Sequence, residues 1–579
     1  MSKILYVCYR KTPISSEIEK KVKGICENLN PDNVSSRPVK IFSKNNLTFG
    51  IANPPSFLQT KGSNVLLGQL FEKNEKWDEI GRNNLDGNFA IFRSNENKLE
   101  ISTDCLGTRS VWYYFDEEVF IASTSQKAIV QFLGNFQFDN RIIPWMLSTG
   151  SLGPTYCWDK RLKKVPADGA VILNRTEWKI NKYSNPVKFS PVKRPEKRQK
   201  EILHNALKET FTQIDIDFSK WTITLSGGHD SRANLLLFRT SNQTLNNKIQ
   251  TITWGTKAAL MDNKSDAVIA EKLAQEIGTK HRYCLTEAPN EPVETILNRF
   301  LLNGEGQIDH ITGYLDGFQL WRDIQERGIE GVVRGDEIFG YNKIYTPLIV
   351  RNFMGLTICS DFDNLDKYKY IKSLEQKLPT HLKQKPNETL STWRDRIFQQ
   401  YRIPFIQSAL ADLKYPYIEQ VNPFLSREIV SVMRQMPDNL RTDKKLFKEI
   451  MKPLDPGIPF SKRDSNASLK NVLRTQEFVA LIKEELTSDY AQCIFPESFL
   501  NQVIKDLNIQ NLEPHTLSLA SRIKKIIPMT IKKTLLNTKK SSLNLDPNIL
   551  AFRILIISRM HRDLSRNIIF NYQYLSTCI

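Results

Sequence analysis

The chain lacks the patterns of a disulfide-stapled, metal-binding or membrane-spanning protein. Its 8 cysteines are scattered over 579 residues without a CxxC pair, and its 7 histidines show no metal-ligand spacing. This distribution argues against a zinc site and indicates reduced, mostly structural thiols. No apolar run approaches the roughly 20 residues that span a bilayer, and the N-terminus lacks the apolar core and cleavage site of a signal peptide. We therefore expect a cytoplasmic protein without a membrane partner.

Acidic side chains are too few to balance the basic ones. Lys and Arg number 81 against 63 Asp and Glu, which gives a formal net charge of +18, and residues 511–579 hold 11 basic and 3 acidic side chains. A basic surface attracts nucleic acid, acidic peptides or anionic membranes, but solvated lysines explain the same excess. Charge alone therefore selects no partner. Because no RNA-binding module is recognisable, we do not expect a nucleic-acid partner.

Residues 221–232, which read WTITLSGGHDSR, predict a phosphate-binding loop. The β-branched run beginning at Trp221 predicts a buried parallel strand, and a serine with two glycines lets the chain turn so that backbone N–H groups face an anion. The helix that follows adds its positive dipole end. An aspartate beside phosphates implies a divalent cation, so the pattern predicts ATP with Mg²⁺ held by Asp230. The predicted nucleotide-binding residues of this loop are Ser226, Gly227, Gly228, Asp230 and Ser231.

Changes in composition divide the chain into four parts. Residues 1–183 carry short alternating apolar runs separated by turn residues, which predict a mostly antiparallel β domain. Residues 184–200 are rich in proline and cations and predict a linker. Residues 201–470 alternate strands with helices, which is typical of a doubly wound parallel sheet whose ligand lies at the carboxyl ends of its strands. Residues 471–579 predict a basic helical region.

Both halves of the chain resemble the asparagine synthetase-like proteins. SGGHDS matches the pyrophosphate-loop signature SGGxDS, and no Walker sequence GxxxxGKS or GxxxxGKT is present. The runs LDGNFAIF (85–92), STDCLGTRSVWYYF (102–115) and FIASTSQKAIV (120–130) are similar to the family's amidotransferase domain. The resemblance covers residues 80–135 and 220–465. It implies an α/β protein: an N-terminal nucleophile hydrolase-like α+β sandwich, a doubly wound parallel-sheet ATP-pyrophosphatase domain and a helical C-terminal region.

The first residues depart from the family pattern. Glutamine-hydrolysing members expose an N-terminal cysteine, whose thiolate attacks glutamine while its own α-amino group serves as base. This chain has Ser2 instead, and Cys8 lies inside the chain, where it cannot supply both groups. The family's glutamine-binding pattern NGEIYN is also missing. We therefore expect an inactive glutaminase domain that persists as a scaffold.

Two further segments imply residues that border the nucleotide. VVRGDEIFGY (332–341) is similar to a shortened form of the family's GxGxDExFGGY, which implies that Asp336 and Glu337 lie beside ATP and the acceptor carboxylate. Residues 420–463 resemble the family pattern that ends in a lysine, which stabilises negative charge during adenylation and attack, and Lys462 matches that lysine. An exposed turn and a solvated Lys-Arg pair are the structural alternatives.

The segment NGEGQIDHITGYLDGF (303–318) implies a base and a second metal ligand. In the family, a glutamate or tyrosine lies upstream of the DE loop and is followed by an aspartate that binds Mg²⁺. Glu305 falls at the first position as a catalytic base, and Asp309 falls at the second as a Mg²⁺ ligand, with one residue more between them than the pattern has. At positions i and i+4 they would share one helix face.

Together these residues predict an ATP-dependent amide-forming ligase. A carboxylate substrate attacks the α-phosphorus to form an acyl adenylate, and an amine then displaces AMP. Family members without the N-terminal cysteine include β-lactam synthetases and the cyclases that close the macrolactam of lasso peptides, which use an amine already present in the substrate. The leading hypothesis is a peptide macrolactam synthetase whose partners are a precursor peptide and its leader-processing proteins.

Other functions remain open from the sequence. An asparagine synthetase-type enzyme could use ammonia or glutamine with the same nucleotide site. A tRNA-modifying enzyme would share the loop and the positive charge, but it would normally have catalytic cysteines near the loop. A catalytically inactive peptide-binding protein would fit His229, which is unusual within the loop, and the shortened DE segment.

Overall fold

The computed structural model describes residues 3–11, 15–241, 248–287, 291–466, 468–509 and 543–576. The N-terminal part forms β1 (Lys3–Tyr9), β2 (Lys40–Lys44), β3 (Leu47–Ala52), β4 (Gln59–Lys61), β5 (Asn64–Leu70), β6 (Gly87–Ser94), β7 (Lys98–Thr103), β8 (Trp112–Phe115), β9 (Val119–Ser123), β10 (Lys163–Lys164), β11 (Gly169–Asn174) and β12 (Lys179–Ser184). One antiparallel sheet has the order β10-β8-β9-β1-β3-β2, and the other has the order β12-β11-β7-β6-β5-β4.

The alternating residues of β1 place this domain's core on both faces of the first sheet. Ile4, Tyr6 and Cys8 belong to the apolar cluster between the two sheets, whereas Leu5 and Val7 belong to the larger core on the opposite face. Successive side chains of a strand point to opposite faces, so one strand serves both layers. The predicted antiparallel sandwich is confirmed.

Five strands of the second half form a parallel sheet in the order β15-β14-β13-β16-β17. In chain order these strands are β13 (Trp221–Thr224), β14 (Gln250–Gly255), β15 (Lys280–Leu285), β16 (Gly331–Val333) and β17 (Glu419–Val421). All four neighbouring pairs run parallel, and β13 occupies the centre. The predicted parallel sheet is confirmed, and its strand carboxyl ends share one edge.

Helices cover this sheet and build most of the later part of the chain. They are α1 (Ser15–Glu27), α2 (Gln126–Leu133), α3 (Ile142–Thr149), α4 (Glu196–Gln213), α5 (His229–Ser241), α6 (Asp266–Ile277), α7 (Val293–Gly304), α8 (Gln319–Glu326), α9 (Pro347–Met354), α10 (Lys369–Ser373), α11 (Leu390–Ile397), α12 (Ser408–Asp412), α13 (Arg427–Gln435), α14 (Asp438–Arg441), α15 (Lys445–Met451), α16 (Leu469–Val472), α17 (Gln476–Leu486), α18 (Asp489–Gln492), α19 (Glu497–Lys505) and α20 (Pro547–Ser576).

Shorter helical turns complete the secondary structure. A π-helical segment, Phe398–Gln407, joins α11 to α12 and contains Pro404, which has no N–H to donate within a helix. The 3₁₀ turns are Lys257–Met261, Ile311–Tyr314, Cys359–Asp361, Asp363–Lys367, Thr380–Leu382, Pro423–Leu425, Thr442–Lys444 and Lys452–Leu454.

Residues 185–195 of the predicted linker are extended and pack against the second half of the chain, whereas residues 196–200 form the start of α4. Between β12 and α4, Ser190 N–H donates to Arg434 O (2.9 Å) and Val192 N–H donates to Gln435 O (2.8 Å). These bonds attach the segment to the end of α13, so it does not act as a free tether.

Helix α20 is a core element of the molecule. It contacts α2 and α3 of the N-terminal part and also α17, and Phe552 and Ile556 are fully buried. Residues 510–542 of the predicted basic region lie outside the described residues. Within the described part of the chain, no helix combines the length and apolar character needed to cross a bilayer.

A buried ion pair fastens α20 to the middle of the chain. Arg553 Nε lies 2.7 Å from Asp309 Oδ2, and Arg553 also donates to Leu147 O on α3 (2.8 Å). Although burial opposes ionisation, Arg553 and His310 lower the pKa of Asp309 to about 2. The carboxylate is therefore charged and depends on Arg553.

Removing Arg553 should destabilise the fold strongly. We expect Arg553→Met to lower the free energy of unfolding by about 3–5 kcal/mol, because an uncompensated carboxylate remains buried. Adding Asp309→Asn should restore part of this loss. Urea unfolding followed by circular dichroism measures both effects, and the exposed Arg198→Met serves as the matched control. An unchanged midpoint for Arg553→Met would show that the pair contributes little.

Candidate active site

The predicted phosphate loop forms a tight turn between β13 and α5. Ser226 N–H donates to Ser231 Oγ (2.9 Å), and Gly228 N–H donates to Ser226 Oγ (3.2 Å). Gly227 N–H donates to Asp266 Oδ1 at the start of α6 (3.0 Å). The loop therefore lies against the N-terminus of α5, where unpaired helical N–H groups and the helix dipole favour an anion.

Two glycines let neighbouring backbone close around this loop. A Cβ on Gly227 would lie 2.4 Å from the Cβ of Ser461, and a Cβ on Gly335 would lie 3.0 Å from the backbone nitrogen of Ser231. Ser461 N–H donates to Gly227 O (3.0 Å), which attaches the segment before Lys462 to the loop. Larger side chains at either glycine would push these segments apart.

An open cleft of about 260 Å³ lies at the carboxyl ends of the central strands. It is where a parallel sheet of this kind binds ligands. From the predicted nucleotide-binding set, the structure brings together in its lining Ser226, Gly228, Asp230, Ser231 and Asp336. Further lining residues are Thr224, Leu225, Thr253, Trp254, Asp266, Arg334, Gly335, Ser465 and Asn466.

A lysine that the sequence analysis missed lies beside the loop. Lys444 Nζ lies 2.8 and 2.7 Å from the two carboxylate oxygens of Asp230 and 3.0 Å from Glu337 Oε1. Asp443 and Lys444 both have positive φ angles, of 58° and 55°, which non-glycine residues rarely adopt. The bond from Asp443 N–H to Tyr341 O (2.9 Å) supports this turn.

The pKa values of Glu337 and Lys444 are both shifted, because these side chains are largely withdrawn from water. The Glu337 side chain is 4% exposed, and burial raises its pKa to about 7 although Lys444 opposes the shift. Burial disfavours the Lys444 ammonium, but Glu337 and Asp230 outweigh it and raise its pKa. Lys444 is therefore a stable cation that contacts both Asp230 and Glu337, and the pKa of Glu337 lies near 7.

Asp336 lines the cleft, whereas Lys462 is absent from its described lining. Asp336 Oδ2 lies 3.6 Å from Arg334 Nε, and its N–H contacts Asn422 Oδ1 at 3.4 Å. Lys462 is exposed, and its backbone N–H donates to Lys264 O (2.8 Å). Because the preceding residue is bonded to the loop, the backbone of Lys462 lies near the predicted phosphate site, and its side chain is exposed.

Glu305 lies away from this cleft, at the contact with the N-terminal sandwich. Its carboxylate accepts bonds from Lys3 Nζ (3.1 Å) and Gln126 N–H (2.7 Å), and from the hydroxyl of Ser125. It thus caps the N-terminus of α2 and is buried. This geometry does not support a role as catalytic base in the nucleotide cleft. Ser2 lies outside the described residues.

Asp309 is likewise absent from the described lining of the cleft, and Arg553 and His310 hold its carboxylate. The expected second Mg²⁺ ligand is therefore not supported. Among the described residues there is no cluster of three or more His, Cys, Asp or Glu suited to a metal. Mg²⁺ in nucleotide sites usually takes one or two carboxylates together with phosphates, so Asp230 and Asp336, which share the cleft, fit that cation.

No family model and no curated protein matches the chain. Two similar solved structures are a glutamine phosphoribosylpyrophosphate amidotransferase from B. subtilis (10% identity, 58% of this chain, 90% of that one) and a U34-tRNA thiolase from Methanococcus maripaludis (11%, 56% and 84%). An allosteric regulatory enzyme of purine biosynthesis matches at 10% identity over 68% of this chain and 98% of its own. All three TM-scores are 0.22, which carries no argument about this chain.

The raised pKa of Glu337 predicts a pH-dependent stability. In the unfolded chain a glutamate titrates near 4.5, whereas in the folded protein Glu337 titrates near 7. Between these values the unfolded state binds fewer protons, so this residue lowers the free energy of unfolding as the pH rises. We expect Glu337→Gln to gain stability relative to the wild type when urea unfolding is repeated at pH 7.5 instead of pH 5.

The exposed Glu326→Gln is the control for this measurement. It should show the same stability difference from the wild type at both pH values. If Glu337→Gln behaves in the same way, the Glu337 carboxyl is not perturbed by its site.

Proposed function

We propose that the protein is an ATP-dependent ligase that forms an amide through an acyl adenylate. The observation that carries this proposal is the meeting of the Ser226–Ser231 loop, the start of α5, Asp336 and Lys444 at one edge of a parallel sheet. Such an arrangement offers the N–H groups at the start of α5, carboxylates for a cation and a fixed positive charge, which are the parts that nucleotidyl transfer needs.

ATP binds with its β- and γ-phosphates over the loop and its α-phosphate toward Asp336 and Lys444. Asp230 and Asp336 would hold Mg²⁺, which supplies charge neutralisation for the phosphates. Lys444 neutralises Asp230 with two close contacts. The same ammonium can turn toward a phosphate oxygen without leaving Glu337.

Charge stabilisation is the main contribution of the protein to this reaction. A carboxylate oxygen of the substrate attacks the α-phosphorus, and pyrophosphate leaves as the acyl adenylate forms. Negative charge then builds on the equatorial oxygens, where Lys444 is fixed and Lys462 can approach from the solvent side. An amine next attacks the acyl carbon, loses a proton and expels AMP, which leaves the amide.

One observation favours an amine that does not come from glutamine: the sequence has Ser2 where the family's hydrolases have their nucleophile. We therefore propose an intramolecular amine, as in macrolactam formation on a precursor peptide with its leader-processing proteins. An asparagine synthetase-type enzyme, a tRNA-modifying enzyme and an inactive peptide-binding protein are the alternatives.

Asp230→Asn tests the proposed chemistry directly. We expect it to reduce AMP and pyrophosphate formation by at least about 100-fold, because the loop loses its cation-binding charge. The exposed Asp215→Asn, which keeps the same change of side chain outside the cleft, should retain full activity. The assay supplies candidate peptides with free carboxylate and amine groups, and in parallel single acids with ammonium or glutamine.

The outcomes of this assay separate the alternatives. Cyclised peptide with AMP supports the macrolactam synthetase, and amide formed only with ammonium supports the asparagine synthetase-type enzyme. Glutamate released from glutamine would contradict the inactive glutaminase domain. Equal activity of Asp230→Asn and the wild type would reject the proposed nucleotide site.

A further inference from the structure

A cavity of about 650 Å³ lies between the N-terminal sandwich and the π-helical segment. Its walls come from β8, β10, the end of β12 and the predicted linker, and from residues 399–405 on the opposite side. No described residue of its lining belongs to the lining of the nucleotide cleft. Its volume is that of a pocket for a small organic ligand.

The lining of this cavity is cationic. It contains Arg109, Lys163, Lys164 and Lys182, and among its described residues there is no Asp or Glu. Arg109 is bound to Glu419 behind the wall, so the three lysines supply the excess charge. Such a lining attracts an anion and repels a cation.

Lys164 is the most constrained of these cations. Its ammonium donates to two neutral oxygens, Ser110 Oγ at 3.0 Å and the carbonyl of Pro404. It lies 4.5 Å from the ring centre of Phe405 and 5.6 Å from that of Trp112. Burial lowers its pKa to about 8, although Asp412, which does not line the cavity, opposes this shift. A neighbouring anion would stabilise this charge more than neutral oxygens do.

Two buried donors at the cavity lack acceptors. Gln126 and Arg109 both line it and are 1% and 2% exposed. Within the described part of the chain, Gln126 Nε2 and Arg109 Nε have no hydrogen-bond partner. Buried donors without a hydrogen-bond acceptor are uncommon and lower the stability of the fold. A ligand with acceptor oxygens is one way to satisfy them.

The rest of the wall offers aromatic surface. Aromatic side chains stack well against flat apolar groups. Those that line the cavity are Trp112, Tyr113, Tyr156, Tyr183 and Phe405.

We propose that this cavity binds an organic carboxylate with an aromatic body, its carboxylate next to Lys164 and its ring among the aromatic side chains. A free aryl-alkyl acid and a peptide that ends in an aromatic residue offer the same chemistry. The site is separate from the nucleotide cleft, so this proposal does not depend on the proposed ligase reaction.

Binding of matched probes to the full-length protein without nucleotide tests this site. The probes are 3-phenylpropionate, its neutral amide, 3-phenylpropylamine and a tetrapeptide with a C-terminal phenylalanine, each followed by isothermal titration. We expect the carboxylate to bind at least about tenfold more tightly than the amide, and the amine not to bind. Binding of the free acid, the peptide or both identifies the source of the ligand.

Variants locate the binding. Lys164→Met should weaken carboxylate binding by about tenfold or more. Lys182→Gln removes one positive charge from the exposed rim of the cavity without disturbing the interior. The exposed Lys98→Met on β7 is the matched control and should bind like the wild type. The proposal is overturned if carboxylate and amide bind equally, if neither acid nor peptide binds up to about 10 mM, or if neither lysine variant changes the affinity.

Discussion

The ammonium of Lys444 between Asp230 and Glu337 is the interaction on which the candidate site depends. It joins three segments that are distant in sequence: the start of α5, the loop after β16 and the turn before α15. Two buried or half-buried carboxylates this close together would repel each other, so the cation makes their arrangement possible. This position of Lys444 requires a strained turn, in which Asp443 and Lys444 both have positive φ angles. Strain of this kind persists where the surroundings fix it, which is common at functional sites.

The same requirement for charge neutralisation governs the contact between the halves of the chain. Glu305 accepts from Lys3 and from the start of α2, while Asp309 is held by Arg553 of α20. Both carboxylates belong to the segment after α7, so this segment is fixed from two sides. Glu305 ties this segment to β1 and α2 of the sandwich, and Asp309 ties it to α20.

Local patterns predicted the strands and the turn that follows Trp221–Thr224 correctly, because a strand and a tight turn depend on neighbours in sequence. The β-branched run at Trp221 and the glycines after it specify a strand and a turn. The family pattern predicts catalytic and metal-binding roles for Glu305 and Asp309. Their actual partners, Lys3 and Arg553, lie 302 and 244 positions away in the sequence. No local sequence pattern indicates contacts over such distances. Lys444 falls within residues 420–463, but the residue before it is an aspartate and no glycine marks its strained turn.

The most direct test of the account is an experimental structure with α,β-methylene-ATP and Mg²⁺ bound. We predict that the phosphates lie within hydrogen-bonding distance of backbone N–H groups of residues 226–231 and that Mg²⁺ contacts Asp230. Lys444 should remain on Glu337 while it approaches the α-phosphate. A nucleotide bound elsewhere, with Lys444 still closed on Asp230 and the loop empty, would contradict the account.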